Sequence, residues 1–471
     1  MNDAPYCPML INGNLIVTST RLAVLNPATE QVAGYVPECT SEQLDRAVES
    51  ARAAFEAWRH TPYVERQRTL RELATVVRSN AAELATLLTA EQGKPASAAG
   101  DEIAFAAWWL EEVSKQEEEI LSTDSMPGQR SVTRRLPLGV VGGIVPWNFP
   151  ILVALWKIGP ALLAGNAIIL KPSPYTPLAT LRMASYFAEI LPRGLVNVVT
   201  GTELLGPMMT QHQGIDKISF TGSTETGRKI MASSASNLKR LTLELGGNDA
   251  AIVLDDFDFE RDAEKLFWTA FNNSGQVCVA TKRVYVDDKI YDQVAEALKA
   301  IASRVVIGNG TTEGVQLGPV QNKMQYDRVC SIIRDSMVAG HEFLVGGLPT
   351  EQTGYFVPIT ILDNPPEESR VVSEEAFGPV LPLLRFKTVE DAIERANASP
   401  YGLGGSVWSK DVRRAAAVAE KLQTGTVWIN SAQNLTPYAA FAGMKQSGIG
   451  VEHGREGVLE YSTPQTIHEL I

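Results

Sequence analysis

The sequence is poor in cysteine and histidine. Four cysteines and five histidines are spread over 471 residues, and none of them shows the close spacing of a zinc site or a disulfide framework. We therefore expect no metal and no disulfides, and we predict a reducing compartment, the cytoplasm. The first residues show no basic segment followed by an apolar one, so no secretory signal is expected.

Long apolar runs and basic blocks are also missing. The most apolar stretch, residues 150–170, is interrupted by a lysine, a proline, an asparagine and two glycines, which favours a buried helix–turn–strand over a membrane span. The net charge is 42 − 54 = −12, and lysine and arginine do not cluster. We therefore expect neither a membrane nor a nucleic acid as partner.

Short apolar strands alternate with helices in two long series, over residues 139–244 and 250–429. Such alternation is typical of parallel sheets that helices cover on both faces. A chain of 471 residues is also long enough for two large domains. The sequence therefore predicts an α/β fold with two parallel sheets, which bind ligands beyond the carboxyl ends of their strands.

The segments outside these series predict helices and a small ribbon. Residues 40–43 match a capping box, and an apolar stripe follows at helical spacing. Further helices are expected at 63–80, 80–92 and 97–119, the last with Trp108 and Trp109 as packing residues. Residues 121–136 and 457–471 are compatible with a two-stranded appendage. Such an appendage invites pairing with another subunit, so we expect a homodimer or homotetramer.

Cys278 is the candidate nucleophile. It ends the segment Phe-Asn-Asn-Ser-Gly-Gln-Val-Cys, between a predicted helix over 259–272 and a predicted strand over 283–286. A thiol on such a loop can be reached by a substrate. A free cysteine is, however, more often a small buried hydrophobe, so this window alone leaves both interpretations open.

Four polar residues follow predicted strands of the first series. Glu244 is poised for proton transfer if it is buried, and Asn148 offers an amide to an oxyanion. Lys171 could reach a ribose or phosphate, and Ser223 opens a helix that could hold a phosphate. The alternatives are a surface carboxylate, a turn-forming asparagine, a solvated lysine and a capped helix.

Six motifs together carry a resemblance. They are Pro146-Trp-Asn-Phe-Pro, Lys171-Pro-Ser, Phe220-Thr-Gly-Ser-Thr-Glu, Leu243-Glu-Leu-Gly-Gly-Asn, Gly275-Gln-Val-Cys and Glu375-Ala-Phe-Gly-Pro. In their order and spacing, the motifs resemble those of the NAD(P)-dependent aldehyde dehydrogenase superfamily, over nearly the whole chain. The resemblance implies a Rossmann-like NAD(P)-binding domain (1–120 and 137–245), a catalytic domain (246–430), and an oligomerisation ribbon with a C-terminal segment (121–136 and 431–471).

The resemblance also implies roles. The Cys278 thiolate would attack an aldehyde, Asn148 and the Cys278 N–H would form the oxyanion hole, and Glu244 would activate water against the thioester. The implied catalytic group is Cys278, Glu244, Asn148 and Lys171. The implied cofactor contacts are Val145, Pro146, Trp147, Lys171, Ser173, Pro174, Gly201, Gly222, Ser223, Thr226, Glu244, Leu245, Gly246, Glu375 and Phe377. The implied substrate tunnel is Phe149, Val153, Trp156, Asn272, Val277, Leu435 and Phe441.

Two features bear on cofactor and substrate. Pro174 stands where many NAD-preferring members carry a glutamate that binds the ribose 2′-hydroxyl, so we expect both NAD and NADP to be used. The implied tunnel is mostly apolar and has no arginine at these positions, which favours a neutral aliphatic or aromatic aldehyde. The alternatives are a semialdehyde such as succinate semialdehyde, a CoA-acylating dehydrogenase, which would generally lack Glu244, and a non-enzymatic binding or structural relative.

Overall fold

The computed structural model describes residues 4–118, 120–126 and 128–470. The first part of the chain forms β1 (Met9–Ile11), β2 (Asn14–Ile16), β3 (Arg21–Leu25), β4 (Val32–Pro37), α1 (Ser41–Trp58), α2 (Tyr63–Ser79), α3 (Ala81–Gln92), α4 (Ala96–Val113), β5 (Ile120–Met126), β6 (Gln129–Pro137), β7 (Val140–Ile144), α5 (Pro150–Leu163), β8 (Ala167–Lys171), α6 (Leu178–Phe187), β9 (Val196–Val198), α7 (Leu205–Gln211), β10 (Lys217–Thr221), α8 (Thr224–Ser234) and β11 (Arg240–Glu244).

The second part forms β12 (Asp249–Val253), α9 (Phe259–Phe271), β13 (Thr281–Asp287), α10 (Tyr291–Ala302), α11 (Lys323–Val338), β14 (Glu342–Val345), β15 (Thr360–Asp363), α12 (Arg370–Ser373), β16 (Val380–Phe386), α13 (Val389–Asn397), β17 (Tyr401–Gly402), β18 (Gly404–Trp408), α14 (Val412–Ala419), β19 (Thr426–Ile429), β20 (Met444–Lys445), β21 (Gly448–Ile449), α15 (Gly454–Leu459) and β22 (Ser462–Leu470). Two single 3₁₀ turns, Ala235–Asn237 and Asn272–Gly275, complete the set.

The first sheet has eight strands in the order β2-β1-β9-β8-β7-β10-β11-β21. Its five middle strands, β9, β8, β7, β10 and β11 in that order, run parallel. The direction in which the chain adds strands to the sheet reverses between β7 and β10. In open α/β sheets, such a reversal opens a crevice at the carboxyl ends of the strands. The predicted first series is confirmed.

Helix α1 shows how local sequence seats an element on this sheet. The Thr40 hydroxyl accepts from the Gln43 N–H, and the Gln43 side chain accepts from the Thr40 N–H, so the predicted capping box is confirmed. Leu44, Val48 and Phe55 then recur on one face and are buried in the core of the first sheet. The apolar stripe thus orients the helix against the strands.

The second sheet has seven strands in the order β14-β15-β16-β13-β12-β18-β19. Six of them are parallel, and β14 pairs antiparallel at one edge. Helices α9 and α10 contribute to the core on one face, and α11 to α14 contribute to the core on the other. The α/β fold predicted from the sequence is therefore confirmed.

The predicted ribbon is a three-stranded sheet in the order β22-β6-β5. β22 pairs antiparallel with β6 over nine residue pairs, from Ser462 with Pro137 to Leu470 with Gln129. The appendage predicted as two-stranded therefore has a third strand, because both arms of the hairpin β5–β6 and the tail are extended. Whether it also pairs with a second copy stays a prediction.

Several predicted boundaries are wrong. The helix predicted to reach residue 119, which lies outside the described residues, ends at Val113, because the Ser114 hydroxyl donates to the Glu111 carbonyl at 2.6 Å and so competes with a further helical bond. Trp109 is buried as predicted, but 38% of Trp108 is exposed. In the second series, β15 begins only at Thr360, after Pro358, which lacks a ladder donor. A short helix, α15, precedes the tail strand, and residue 471 lies outside the described residues.

None of the described helices has the length and hydropathy needed to cross a membrane.

Candidate active site

The loops predicted to carry chemistry meet at one edge of the first sheet. Ile144, at the end of β7, pairs with Lys171 at the end of β8. Thr221, at the end of β10, pairs with Glu244 at the end of β11. Because these strands are parallel, the segments that follow them leave the sheet side by side. The structure thus brings Asn148, Lys171, Ser223 and Glu244 to the same edge.

Cys278 reaches this edge from the second sheet, on a loop with unusual backbone geometry. Asn273, Ser274 and Gly275 all lie in the left-handed region, with φ of 50°, 56° and 73°. A Cβ on Gly275 would lie 2.2 Å from the Gly378 carbonyl oxygen, so only glycine permits this approach. The Ser274 hydroxyl donates to the Gly318 carbonyl at 2.7 Å. The loop before Cys278 is therefore held by backbone contacts.

Buried Gln276 braces the same loop and links it to Asn148. Its Nε2 donates to the Asn273 carbonyl at 2.8 Å, and its Oε1 accepts from the Gln321 N–H at 2.8 Å. Its carbonyl in turn accepts from Asn148 Nδ2 at 2.9 Å. An amide nitrogen has two hydrogens, so one N–H of Asn148 fixes the side chain and the second is free for another acceptor.

A buried ion pair lies behind Asn148. Lys94 Nζ lies 2.5 Å from Glu102 Oε2 and donates to the Asn148 carbonyl at 3.0 Å. Glu102 Oε1 accepts from the N–H groups of Ile151 and Leu152 in the first turn of α5. One carboxylate therefore caps the helix and holds the lysine that fixes the backbone of Asn148.

The electrostatics of Cys278 are set by a ring of carboxylates and one cation. Cys278 is half-buried, whereas Cys7, Cys39 and Cys330 are buried, and all four are free. Burial raises the pKa of the Cys278 thiol well above its ordinary value; the charges of Glu244, Asp249 and Glu375 raise it further, and Lys282 lowers it. Forming the thiolate therefore requires a proton acceptor nearby.

Glu244 is suited to be a general base. It is buried, and neither carboxylate oxygen has a hydrogen-bond partner among the described residues. Burial and the charge of Glu452 raise its pKa to about 8, against opposing effects of Lys157 and the Cys278 side chain. Near neutral pH it can therefore both take up and release a proton.

Lys157 and Glu452 form a second buried ion pair near Glu244. Their charged atoms lie 2.6 Å apart, and Lys157 Nζ also donates to the Ser219 hydroxyl at 3.1 Å. Both residues act on the pKa of Glu244, in opposite directions. The basicity of Glu244 therefore depends on residues of α5 and of the segment before α15.

Glu375 and Phe377 face the first sheet from the loop before β16. The Gly247 N–H donates to Glu375 Oε1 at 3.3 Å, and a Cβ on Gly246 would lie 2.4 Å from Glu375 Oε2. The Phe377 ring stands edge-on to Trp147, with ring centres 5.3 Å apart. The junction of the two sheets is thus lined by an aromatic pair and a carboxylate.

The edge beside β8 and β10 offers groups for an anionic ligand. Ser223 caps α8 by accepting from the Thr226 N–H at 3.2 Å, so the capped-helix interpretation also holds. Lys171 is buried, and its side chain makes no ion pair or hydrogen bond with a described residue. Burial lowers the pKa of Lys171 to about 8, and the charge of Glu203 opposes that shift. A buried ammonium without a protein partner fits an external ligand.

The remaining predicted cofactor residues lie around these groups. The Val145 N–H donates to the Lys171 carbonyl at 3.1 Å, and the Ser173 hydroxyl accepts from the Tyr175 N–H. Leu245 and Gly201 are buried, and Pro146, Pro174 and Gly222 are half-buried. The Gly222 N–H donates to the Glu244 carbonyl at 3.0 Å, which links the two loops.

The predicted tunnel residues form an apolar wall beside Cys278. Cys278 packs in one cluster with Val277, Phe441, Phe149 and Leu435. The other three predicted tunnel residues lie outside this cluster. Val153 and Trp156 are buried in the adjoining core, and the Trp156 ring lies 4.3 Å from that of His453, which stacks on Phe441. Asn272 is exposed and donates to the Gln433 side chain at 3.2 Å.

The sequence did not point to several charged residues around this site, among them Lys94, Glu102 and Asp249. Lys282 contacts the Cys278 loop, Lys157 and Glu452 act on Glu244, and exposed Glu203 acts on Lys171. A signal existed for Lys157, which interrupts an apolar helix, whereas Lys282 stands beside Arg283 at the polar start of β13 and does not stand out. Glu203 and Glu452 stand in ordinary loop sequence, which gave no signal.

Within the described ranges, no group of three or more His, Cys, Asp or Glu side chains could hold a metal ion.

Comparison with known proteins places these features in one family. A profile of the aldehyde dehydrogenase family matches residues 16–467. Phenylacetaldehyde dehydrogenase from Pseudomonas fluorescens is 39% identical over 478 residues, which cover 98% of this chain and 95% of that protein.

Solved structures agree with the sequence match. An NADP-dependent enzyme of E. coli has a TM-score of 0.96 at 35% identity, covering 99% of this chain and 98% of that one. Betaine aldehyde dehydrogenase from Staphylococcus aureus, in complex with NAD+, has a TM-score of 0.95 at 34% identity, covering 98% and 95%. Since both sequence and fold match over nearly their whole length, this chain belongs to the aldehyde dehydrogenase family and is an oxidoreductase that acts on aldehydes.

Proposed function

We propose that the protein oxidises a neutral aldehyde to its carboxylic acid with NAD(P)+, through a covalent intermediate on Cys278. One observation carries the proposal: Cys278, Asn148 and Glu244 converge on the junction of the two sheets from two loops and the end of strand β11. A nucleophile, an oxyanion donor and a carboxylate base are what oxidation followed by hydrolysis requires.

The first step is attack of the Cys278 sulfur on the carbonyl carbon. The thiol first loses its proton to solvent, which reaches Cys278 because this residue is only half-buried, and the thiolate then attacks. The second N–H of Asn148 and the backbone N–H of Cys278 stabilise the oxyanion of the resulting hemithioacetal. The Asn148 side chain is already oriented by Gln276, so little reorganisation accompanies the reaction.

The residues at the carboxyl ends of β7, β8 and β10 fit a dinucleotide. Lys171 and Ser173 would hold the adenosine ribose, Gly222 and Ser223 the pyrophosphate, and Glu375 with Phe377 the nicotinamide ribose and ring. The crevice between β7 and β10 is where such sheets bind nucleotides. When bound, NAD(P)+ supplies the acceptor for the hydride that leaves the hemithioacetal.

Hydrolysis of the thioester is assigned to Glu244. The carboxylate removes a proton from water, the water oxygen attacks the acyl carbon, and the Cys278 sulfur leaves as a thiolate. The proton on Glu244 then passes to solvent, which restores the carboxylate. Once its sulfur is acylated, Cys278 no longer donates to Glu244, and neither oxygen of Glu244 has another hydrogen-bond partner among the described residues, so both oxygens are open to water. This favours release of a free acid over transfer to CoA.

The substrate is proposed to be a neutral aliphatic or aromatic aldehyde. The wall of Val277, Phe441, Phe149 and Leu435 beside Cys278 is apolar, and burial of apolar surface contributes about 25 cal/mol per Å². Relatives are named for betaine aldehyde, which is cationic, and for phenylacetaldehyde, which is aromatic. In this chain, the apolar wall favours an aldehyde of the aromatic type.

Cofactor choice is proposed to be open to both NAD and NADP. Pro174 supplies no acceptor for a ribose 2′-hydroxyl, and Lys171 offers a positive charge to a 2′-phosphate. Glu203, on the loop after the neighbouring strand β9, brings a negative charge to the same edge and acts on both Lys171 and Tyr175. The two charges oppose each other, so neither cofactor is strongly excluded.

Assembly, domain division and location are proposed as the sequence predicted them. The edge of the ribbon along β22 is exposed, and exposed strand edges pair with other chains. We propose a homodimer or homotetramer in the cytoplasm, with the cofactor domain built on the first sheet and the catalytic domain on the second.

The test is a panel of aldehydes with both cofactors. The purified protein should reduce NAD+ or NADP+ with phenylacetaldehyde or a medium-length aliphatic aldehyde, and mass spectrometry should find the free acid. Addition of CoA should leave the rate and the product unchanged. Formation of an acyl-CoA, or no reduction with any aldehyde while Cys278 is unmodified, would contradict the proposal.

A further inference from the structure

Lys282 is a buried lysine whose ammonium contacts the nucleophile's own loop. It is the second residue of β13 and is 6% exposed. Its Nζ donates to the carbonyl of Val277 at 3.0 Å and to that of Cys278 at 2.5 Å, and lies 3.1 Å from Glu375 Oε1. An ammonium has three donors, and three partners surround this one.

The contact with Val277 fixes the direction of a particular N–H. The carbonyl of Val277 and the N–H of Cys278 belong to one planar, trans peptide unit, so they point in opposite directions. When Lys282 holds the carbonyl on one side, the Cys278 N–H is directed to the other side. That N–H has no hydrogen-bond partner among the described residues, so it is free to donate to an oxyanion.

The charge of Lys282 also opposes the carboxylates around the thiol. The charged groups that face Cys278 are Glu244 from β11, Asp249 from β12, Glu375 from the loop before β16, and Lys282 itself from β13. Lys282 is the cation of this set. Without it, the thiolate would form among three carboxylates and no compensating charge.

We propose that Lys282 is a positioning residue of the active site: it orients the Cys278 peptide N–H toward the oxyanion and stabilises the thiolate. The role as oxyanion donor rests on the proposed function, whereas the effect on the thiol does not. Lys282 touches neither the substrate nor the reacting atoms in this arrangement; it acts through the peptide and charge of Cys278.

The test compares Lys282→Met, which keeps the aliphatic stem but removes charge and donors, with Lys282→Arg, which keeps both. Iodoacetamide alkylation of Cys278 in the cofactor-free protein, located by mass spectrometry, is followed against pH. Loss of a nearby positive charge raises the pKa of a thiol by about one unit or more. At pH values below the pKa of the wild-type thiol, the Met variant should therefore alkylate at least about tenfold more slowly than wild type. The Arg variant should lie close to wild type.

A matched control separates this role from packing. Lys239 is also buried, and its ammonium also binds two carbonyls, those of His212 and Ile215. Lys239→Met should lower the melting temperature but leave the alkylation profile of Cys278 unchanged. If Lys282→Met does not fold, Lys282→Gln takes its place, because it removes the charge but keeps donors.

Kinetics supply the second readout. With the best aldehyde of the panel, Lys282→Met should lose roughly 100-fold or more in kcat at saturating cofactor, the effect of losing one oxyanion donor. The Kd for NADH is measured alongside, because Lys282 also pairs with Glu375, and a loss confined to that Kd would overturn the proposal. A wild-type alkylation profile in the folded Met or Gln variant would overturn the proposal, as would an Arg variant as impaired as the Met variant. If the wild type oxidises no aldehyde, the proposed function fails, while the alkylation profile still decides whether Lys282 stabilises the thiolate.

Discussion

Replacing Glu244 with glutamine should separate the two halves of the reaction. Glutamine keeps the size of the side chain but cannot take a proton at any relevant pH, so the thioester should form and then persist. Stopped-flow mixing of enzyme, aldehyde and cofactor should show a burst of NADH close to one per chain, followed by a slow steady state.

The size of the expected change in deacylation rate follows from the burial of Glu244. With a pKa of about 8, roughly one-tenth of the carboxylates are ionised at pH 7, so wild-type deacylation should rise about tenfold from pH 7 to its plateau. A positioned general base contributes about 10²–10⁴-fold, so the steady-state rate of Glu244→Gln should fall by that factor and lose its rise with pH.

A second variant tests the physical origin of this pH dependence. Glu452→Gln removes the charge that raises the Glu244 pKa and leaves Lys157, which lowers it. The midpoint of the rise should therefore move to lower pH, while Glu244 itself is intact. An unchanged midpoint in Glu452→Gln would refute the electrostatic reasoning. A Glu244→Gln variant with no burst, or with wild-type turnover and pH dependence, would refute the assignment of the base.

Three further predictions concern the nucleophile, the cofactor and the assembly. Cys278→Ser should abolish aldehyde oxidation and leave the binding of NADH, measured by fluorescence, within about twofold of wild type; substantial turnover in a clean preparation would contradict the role of Cys278. Pro174→Glu should selectively lower kcat/KM with NADP, because it adds a negative charge beside Lys171. Glu203→Gln removes such a charge and should raise kcat/KM with NADP relative to that with NAD. If the wild type already rejects NADP by more than about 1,000-fold, or ~4 kcal/mol, Pro174 does not govern the choice of cofactor. Light scattering should give a dimer or tetramer, and a stable, active monomer would contradict the predicted pairing through the ribbon.

The sequence predicted the two strand–helix series because each strand is a short apolar run bounded by turn residues. The structure places strands and helices in alternation within both series. Their signals are local, since periodicity and caps are properties of neighbouring residues. The common edge of Asn148 and Glu244 followed from the rule that parallel strands end at one edge, whereas Cys278, which precedes β13, was singled out by its loop and its motif.

What the sequence did not reveal depends on contacts between distant segments. Lys282 is opposite Glu375, 93 residues later in the chain (375 − 282), and nothing in its neighbourhood announces that pairing. Glu452 acts on Glu244 across more than 200 residues. The third strand of the ribbon was missed because pairing register is a property of two segments together, and neither segment alone specifies it.

The close approach of Gly275 to the Gly378 carbonyl bears on how the substrate range of this protein can change. Two backbones in contact leave no side chain that could be exchanged to shift the nucleophile, so Cys278 is fixed with respect to the loop that carries Phe377. New substrates must therefore be accommodated by the walls, at positions such as Phe149 and Leu435, which are half-buried and free of such contacts. A library built at those two positions should yield folded enzymes with altered aldehyde preference, whereas one that includes Gly275 should yield mostly unfolded or inactive chains.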